Sequence, residues 1–349
     1  MNKHHNQYLG AIIGHAVGDA MGFPTEFSKR EELLKNPVLE MIDSPDVGQP
    51  AGSWSDDTAM EIVTIDSFIQ KKCFDYKDIM DKWVKWISKS EYTPTGVAFD
   101  IGRTCLKAIK KYCNGTAPLQ CGATSMNENG NGSLMRILPV ALYAYSKNLD
   151  DISIRKLTNE VSSLTHAHEV SRLGCYIYVQ FIICLLKGYT KEDAYKHIRN
   201  LDYSSYDMNS INLYTRILNE RIKSQIIDGI KSSGYIIDTL ECVMWIFMNA
   251  QHYKEAIIAS TNIGGDTDTI GAIVGSMGDK EPIDVAMQDV ERDPITELAK
   301  DLDDFAFDYD FYGYQDTVDD RTEHIESLKK DLETGNVEGL TNYLKEVIE

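Results

Sequence analysis

The sequence is short of positive charge and has no paired cysteines, and each absence argues against a class of function. It carries 35 lysines and arginines against 54 acidic residues, for a net charge of -19. Such a surface repels phosphate backbones, which argues against non-specific nucleic-acid binding. The seven cysteines include no C-x-x-C pair. They predict reduced thiols in a cytoplasmic protein, and neither a disulfide framework nor a zinc site.

Long apolar runs and strand-like alternation are also missing. The apolar stretch nearest the N-terminus, residues 9–17, is broken by Gly10, Gly14 and His15, which argues against a signal peptide or a membrane span. Helical periodicity dominates instead. It runs through residues 58–70, 83–88, 169–186, 236–249 and 254–260.

The pattern therefore predicts an all-α protein with one large domain. We place that domain at residues 1–300 and a C-terminal extension at residues 301–349. The extension begins as a mixture of acidic and aromatic residues, and two amphipathic helices are predicted in its last part, at residues 323–332 and 337–347.

Two acidic clusters lie directly before apolar helices. They are the main candidates for catalysis, because no Ser or Cys lies in a recognisable nucleophile elbow. The first cluster is Ser55, Asp56 and Asp57. One carboxylate would be enough to cap a helix N-terminus, so capping alone is an alternative interpretation of this cluster. The second cluster follows a glycine pair that permits a tight turn. It consists of Asp266, Asp268 and Thr269.

Oxygen atoms from carboxylates and hydroxyls suit hard cations. Mg²⁺ and Mn²⁺ prefer such ligands, whereas zinc would require His or Cys, which neither cluster contains. Bringing Asp56, Asp57, Asp266 and Asp268 into one pocket would be costly without cations, because like charges repel. The two clusters therefore predict a site for two Mg²⁺ (or Mn²⁺) ions.

Glycine recurs at every fourth position near the N-terminus, at Gly10, Gly14, Gly18 and Gly22. This spacing leaves one helical face bare and favours close approach of another helix, especially at Gly10 and Gly14. It does not match the G-x-G-x-x-G dinucleotide fingerprint. Glu26 follows the helix and by itself is most simply a surface charge.

A second glycine-rich segment is a candidate for phosphate binding. Its free backbone N–H groups could meet a diphosphate at the start of an apolar helix, although a flexible turn capped by Ser133 is the simpler interpretation. The glycine-rich segment comprises Asn129, Gly130, Asn131, Gly132 and Ser133.

His166 and His168 lie two residues apart, so they are poor joint metal ligands and are more typical of structural histidines.

Taken in order, these segments resemble the ADP-ribosylglycohydrolase family over roughly residues 8–278. The combination of Gly-Gly-Asp-Thr-Asp-Thr at residues 264–269 with the upstream Asp-Asp-Thr is highly specific. The resemblance implies an orthogonal helical bundle with two Mg²⁺ or Mn²⁺ ions in a cleft. The implied metal ligands are Ser55, Asp56, Asp57, Asp266, Asp268 and Thr269.

The resemblance also implies roles around the metals. Glu26 matches a glutamate on a mobile flap, Asp100 an acidic residue near the scissile bond, and Asp57 is expected to assist catalysis as well as bind metal. The segment 129–133 matches a diphosphate loop, and His166 and Tyr235 fall where the family binds ADP-ribose. One departure is the short sequence after Gly275, which predicts trimmed final core helices.

The expected reaction is removal of ADP-ribose from a modified protein, with ADP-ribose as the product ligand. Arginine-linked ADP-ribose is the preferred substrate, because a guanidinium leaving group would meet an acidic rim. Serine-linked and nucleic-acid-linked ADP-ribose remain alternatives. So do a non-catalytic ADP-ribose-binding protein and a two-metal phosphohydrolase, which the aspartates alone permit.

Overall fold

The computed structural model describes residues 3–219 and 222–278, and helices are the regular elements of these ranges. In these ranges the β-structure consists of isolated β-bridges, such as the one between Gly130 and Tyr235, and no sheet is formed. The helices are α1 (Lys3–Gly22), α2 (Arg30–Lys35), α3 (Asp56–Lys71), α4 (Tyr76–Lys89), α5 (Arg103–Cys113), α6 (Leu138–Ser146), α7 (Asp151–Ser163), α8 (Glu169–Leu186), α9 (Lys191–Arg199), α10 (Met208–Leu213), α11 (Thr215–Leu218), α12 (Ile236–Asn249), α13 (Tyr253–Thr261) and α14 (Thr267–Ser276).

The prediction of an all-α protein is confirmed, and α8 and α12 begin and end at the predicted residues. One local expectation is wrong: no helix opens at Gly132. Helix α6 begins only at Leu138, with a proline in its first turn. The Asn131 carbonyl instead accepts the N–H groups of Leu134 and Met135 in a separate turn. The predicted helices at residues 323–332 and 337–347, and the boundary at residue 300, lie outside the described residues.

Helices α1 and α14 pack backbone against backbone. A Cβ atom on Gly18 would overlap the carbonyl of Gly271, and one on Gly275 would overlap the carbonyl of Gly14. Residue numbers rise along one helix as they fall along the other, so the two helices are antiparallel. The close approach predicted from the glycine spacing is therefore confirmed at Gly14, and it extends to Gly18 and Gly22.

Two hydrophobic clusters lie on either side of this glycine seam. The larger surrounds α8 together with α6, α12 and α14, and the smaller lies between α1, α3, α4 and α5. Helix α8 is long and apolar enough to cross a membrane by length and composition, but 83% of its apolar window is buried inside the protein. It is the central core helix of the larger cluster.

The antiparallel seam determines where the polar residues meet. It places the C-terminal end of α1 beside the N-terminal end of α14, and the N-terminus of α3 joins them through Asp19 of α1. Helix N-termini carry partial positive charge and favour nearby carboxylates. The N-termini of α3 and α14, which meet here, therefore suit the two acidic clusters predicted from the sequence.

Candidate active site

Asp57 links the two acidic clusters directly. Its Oδ2 accepts hydrogen bonds from the Ser55 hydroxyl at 3.2 Å and from the Thr269 hydroxyl at 3.3 Å. Its Oδ1 is buried and has no hydrogen-bond partner. Residues from the start of α3 and the start of α14 thus share one carboxylate, which retains an unused oxygen.

Asp19 is a functional residue that the sequence interpretation missed. Both of its oxygens lie 3.0 Å from the Ser55 N–H, and Oδ2 also accepts the Thr58 N–H at 3.0 Å and the Thr58 hydroxyl at 2.6 Å. Asp19 therefore caps α3 from another helix. Burial raises its pKa to about 6, although these hydrogen bonds act in the opposite direction.

Asp56 and Asp266 are each held by a partner from a different loop. The Gly102 N–H donates to Asp56 Oδ2 at 3.2 Å, and the Asn131 side-chain amide donates to Asp266 Oδ2 at 2.8 Å. The glycine pair before Asp266 turns as expected, because Gly265 has φ of 77° and a Cβ there would overlap the Ser232 carbonyl.

The carboxylates form two overlapping groups of three. In each group one oxygen per residue lies within 4.8 Å of the others, and Asp268 belongs to both. One group contains Asp19 and Asp57, and the other contains Glu26 and Asp100. We call these five residues, with Asp56 and Asp266, the acidic wall. Among the described residues, no Lys or Arg forms an ion pair with any of the seven.

The acidic wall is electrostatically unfavourable without a cation. Burial raises the pKa of Glu26 to about 10, and repulsion from Asp100 adds to the shift. Burial also raises the pKa of Asp56, Asp57 and Asp268 well above the ordinary range, with repulsion from neighbouring carboxylates acting the same way. A divalent cation relieves both penalties, and hard cations take such oxygens. The donor set and the unused Asp57 oxygen therefore fit Mg²⁺ or Mn²⁺.

Glu26 and Asp100 occupy adjoining loops on the outer side of the acidic wall, where both are half-buried. The rings of Phe23 and Phe99 join these loops, with centroids 4.9 Å apart. Next to Glu26, the Phe27 N–H donates to the Gly265 carbonyl at 2.7 Å. The segment that carries Glu26 is therefore attached to the loop that carries Asp266.

The predicted diphosphate segment adjoins the acidic wall through the bond from Asn131 to Asp266, and we call residues 129–133 the glycine loop. The Asn131 N–H donates to the Gly234 carbonyl, and the Asn129 carbonyl accepts the Ile236 N–H, so the loop runs beside Tyr235. Tyr235 itself is half-buried.

Two side chains of the glycine loop already form hydrogen bonds within the protein. The Asn131 amide donates to Asp266 and to Thr239, and the buried Ser133 hydroxyl lies 3.1 Å from the Ser162 hydroxyl. Any contact that this loop makes with a diphosphate must therefore come mainly from its backbone.

The two histidines have different environments. His168 caps α8, because its Nδ1 accepts the Val170 N–H at 3.2 Å. This confirms the structural interpretation for His168. His166 is buried behind the glycine loop, and a Cβ on Gly130 would lie 3.5 Å from its Nε2. His166 is thus placed beside the predicted ligand cleft, as the sequence resemblance implies.

Comparison with known proteins finds matches over most of the chain. The sequence model of the ADP-ribosylglycohydrolase family matches residues 1–278. The chain is 29% identical to the ADP-ribosylarginine hydrolase Tri1 of Serratia proteamaculans, over 86% of this chain and 80% of that protein. It is 27% identical to the ADP-ribosyl-[dinitrogen reductase] glycohydrolase of Rhodospirillum rubrum, over 78% of this chain and 84% of that protein.

More distant similarity extends to animals and to solved structures. The chain is 21% identical to human ADP-ribosylhydrolase ARH3, over 78% of this chain and 84% of that protein. A solved structure described as an ADP-ribosylglycohydrolase-related protein complex aligns with a TM-score of 0.69 at 22% identity, covering 88% of this chain and 97% of that chain. The structural match establishes a shared fold.

Proposed function

The chain belongs to the ADP-ribosylglycohydrolase family, and we propose that it removes ADP-ribose from arginine side chains of proteins in a reaction that requires two divalent cations. Removal of ADP-ribose from a modified substrate is the activity of the family. The arginine linkage and the requirement for metal are the proposed part, and each is supported by a different feature of the cleft.

The two groups of three carboxylates that share Asp268 support the metal requirement. Of the proposed ligands for the ions, Asp57 and Asp268 belong to these groups, and the others lie beside them at the starts of α3 and α14: Ser55, Asp56, Asp266 and Thr269. When bound, Mg²⁺ or Mn²⁺ would orient the hydroxyls of the terminal ribose and act as a Lewis acid as the glycosidic bond breaks. Asp19 contributes by fixing the start of α3, and Asn131 by fixing Asp266.

The outer part of the acidic wall supports the arginine linkage. Glu26 and Asp100 are half-buried, whereas Asp56, Asp57 and Asp268 are buried, so the outer pair faces the side from which a protein substrate would approach. A guanidinium group is positively charged and pairs well with carboxylates. A relative at 29% identity is named an ADP-ribosylarginine hydrolase. Glu26 or Asp100 can transfer a proton to or from the leaving group or a water molecule.

The ADP portion of the substrate would lie against the glycine loop, His166 and Tyr235. Backbone N–H groups of the loop are suited to a diphosphate. We further propose that the protein works in the cytoplasm, since its seven cysteines are all free thiols.

The decisive experiment measures release of free ADP-ribose from peptides that carry ADP-ribose on arginine or serine and from an ADP-ribosylated oligonucleotide. Each reaction is run with Mg²⁺, with Mn²⁺ and with EDTA. We expect release from the arginine-linked peptide with either metal. Preferential release from serine or from the nucleobase would refute the arginine linkage, and release of phosphate instead would indicate the alternative phosphohydrolase. Asp268→Asn is the inactive variant, and Asp46→Asn, at an exposed aspartate, is its matched control.

A further inference from the structure

Arg136 is a fully buried cation without a carboxylate partner among the described residues. Its exposed fraction is 0%, and its guanidinium lies 4.4 Å from the centre of the Trp83 ring. The terminal nitrogens donate to the Val161 carbonyl at 3.3 and 3.4 Å, and Nη2 donates to the Thr165 hydroxyl oxygen at 2.6 Å. A buried arginine that donates to neutral oxygens is uncommon, because desolvating its charge is costly.

The bond from Arg136 restricts what Thr165 can do. A guanidinium group has only donors, so the Thr165 oxygen must accept from Arg136. The hydroxyl then has a single hydrogen to donate, and Nδ1 of His166 lies 2.8 Å away. A neutral imidazole nitrogen is a strong acceptor at this distance. The contacts therefore favour a directed chain in which Arg136 donates to Thr165 and Thr165 donates to His166.

His166 is neutral in this environment. Burial lowers its pKa to about 3, and the nearby positive charge of Arg136 acts in the same direction. A neutral imidazole carries one proton, on either Nδ1 or Nε2. If Nδ1 accepts from Thr165, the proton must be on Nε2, which then is a hydrogen-bond donor.

Nε2 points toward the glycine loop. A Cβ on Gly130 would lie 3.5 Å from it, and one on Gly132 would lie 3.6 Å from it. Nε2 has no hydrogen-bond partner in the described part of the chain, whereas the backbone of His166 is fixed by Ser162, whose carbonyl accepts the His166 N–H and whose hydroxyl donates to the His166 carbonyl. The imidazole is thus held rigidly with one nitrogen directed at the predicted ligand position.

We propose that Arg136 and Thr165 are positioning residues that hold His166 in its Nε2–H tautomer, so that the imidazole donates a hydrogen bond to a ligand oxygen lying against Gly130 and Gly132. The identity of that ligand rests on the proposed function, for which the oxygen belongs to ADP-ribose. The tautomer does not depend on it, because it is a property of the ligand-free protein.

The competing arrangement reverses the proton positions. In it His166 Nδ1 donates to Thr165, and the Thr165 hydrogen turns towards the nearby sulfur of Cys105. Sulfur is a weaker acceptor than an imidazole nitrogen. This arrangement would leave Nε2 as an acceptor, so the two alternatives predict opposite protonation of the two ring nitrogens.

Nitrogen NMR of the metal-free protein distinguishes them. The protein is labelled with ¹⁵N-histidine and kept in EDTA, and the signals of His166 among the eight histidines are assigned by their loss in His166→Gln. We expect a protonated Nε2 and an unprotonated Nδ1. The reverse pattern, or a charged ring at neutral pH, would overturn the proposal.

Thr165→Val tests the positioning role, since it removes the hydroxyl and keeps the shape of the side chain. We expect mixed tautomers at His166 and an affinity for ADP-ribose, measured with Mg²⁺, that falls about tenfold. Thr165→Ser should restore both. Thr158→Val is the matched control, because Thr158 is a fully buried threonine on α7 whose hydroxyl donates to the Ile154 carbonyl.

The outcomes separate the two proposals. Unchanged tautomer and unchanged ADP-ribose affinity in Thr165→Val would overturn the positioning role. If wild-type His166 shows the Nε2–H form and the protein releases no ADP-ribose from any linked substrate, the proposed function fails and the tautomer inference stands. If Thr165→Val does not fold, the wild-type spectrum decides: a protonated Nε2 supports the proposal, and a protonated Nδ1 overturns it.

Discussion

The two sides of the cleft carry unpaired charges of opposite sign. The acidic wall holds seven carboxylates without a Lys or Arg partner among the described residues, and behind the glycine loop Arg136 has no carboxylate partner there. Among the other described residues, the partly buried Lys82 does pair with a carboxylate, that of Asp66, at 2.7 Å. The difference fits the proposal for the acidic wall, whose missing partners would be cations, whereas Arg136 would act on a ligand only through Thr165 and His166.

The largest expected effect comes from breaking the acidic wall. Asp268→Asn should lower turnover by roughly 10³- to 10⁴-fold, because Asp268 belongs to both carboxylate groups, and such units fail as a whole. Adding Asp57→Asn should make activity scarcely worse. Steady-state ADP-ribose release measures both, and circular dichroism checks that the helices persist. Full activity after exhaustive chelation would refute the two-metal proposal.

A smaller effect on turnover is expected at Glu26, on the outer edge of the acidic wall. Its substitution should lower turnover without lowering affinity for ADP-ribose. Glu26→Gln removes a proton-transferring group, which is worth about 10²- to 10³-fold in turnover. Affinity for ADP-ribose, measured by calorimetry, should change by less than about threefold, since the product has no leaving group to contact. Glu31→Gln, at an exposed glutamate five residues further on, is the control. Equal losses in turnover and in affinity would assign Glu26 to substrate binding.

Binding of the product, ADP-ribose, should test the acidic wall and the glycine loop together. ADP-ribose at a hundred times its dissociation constant should stabilise the native state by about 2.7 kcal/mol, which raises the melting midpoint by several degrees. The shift should require Mg²⁺ or Mn²⁺ and should be much smaller with AMP, which lacks the terminal ribose. NAD is the informative control, because a clear shift with NAD and none with ADP-ribose would contradict the hydrolase assignment.

The smallest effect concerns stability and should reverse sign with metal. Asp56 is buried beside Asp100, Asp19 and Glu26, which repel its charge. In EDTA, Asp56→Asn should therefore stabilise the protein by about 1 kcal/mol, as judged by urea unfolding. With saturating Mg²⁺ the same substitution should be destabilising, because a ligand is lost. The same sign in both conditions would show that repulsion does not dominate the acidic wall.

Helices and acidic clusters were predictable because their signals are local. Helices α8 and α12 follow from apolar periodicity alone, and the acidic clusters at Asp56 and Asp57 and at Asp266 and Asp268 follow from short strings before helices. Asp19 was missed because the helix that it caps begins 36 residues or more away in sequence. A signal existed, since Asp19 interrupts the apolar residues between Gly18 and Gly22, where a charge would be buried.

Arg136 was missed for a similar reason. It is a lone cation in the apolar segment 134–140, and nothing in its neighbourhood along the chain identifies Thr165 as its acceptor. The start of α6 was misplaced because the turn at Asn131 imitates a helix N-terminus, while the actual helix begins beside Pro139. Side-chain contacts across the fold determine these features, so local sequence patterns could not predict them.

The glycine seam has a consequence for the synthesis of the protein. Helix α1 emerges from the ribosome long before the partner helix that covers its bare face, since Gly22 and Thr267, which are joined by a hydrogen bond, lie 245 residues apart. Until α14 is made, the nascent chain exposes its glycine face and lacks Asp266 and Asp268. A chain that stops before α14 therefore has neither a closed core nor the full set of proposed metal ligands, so we expect activity to begin only once this last described helix is complete.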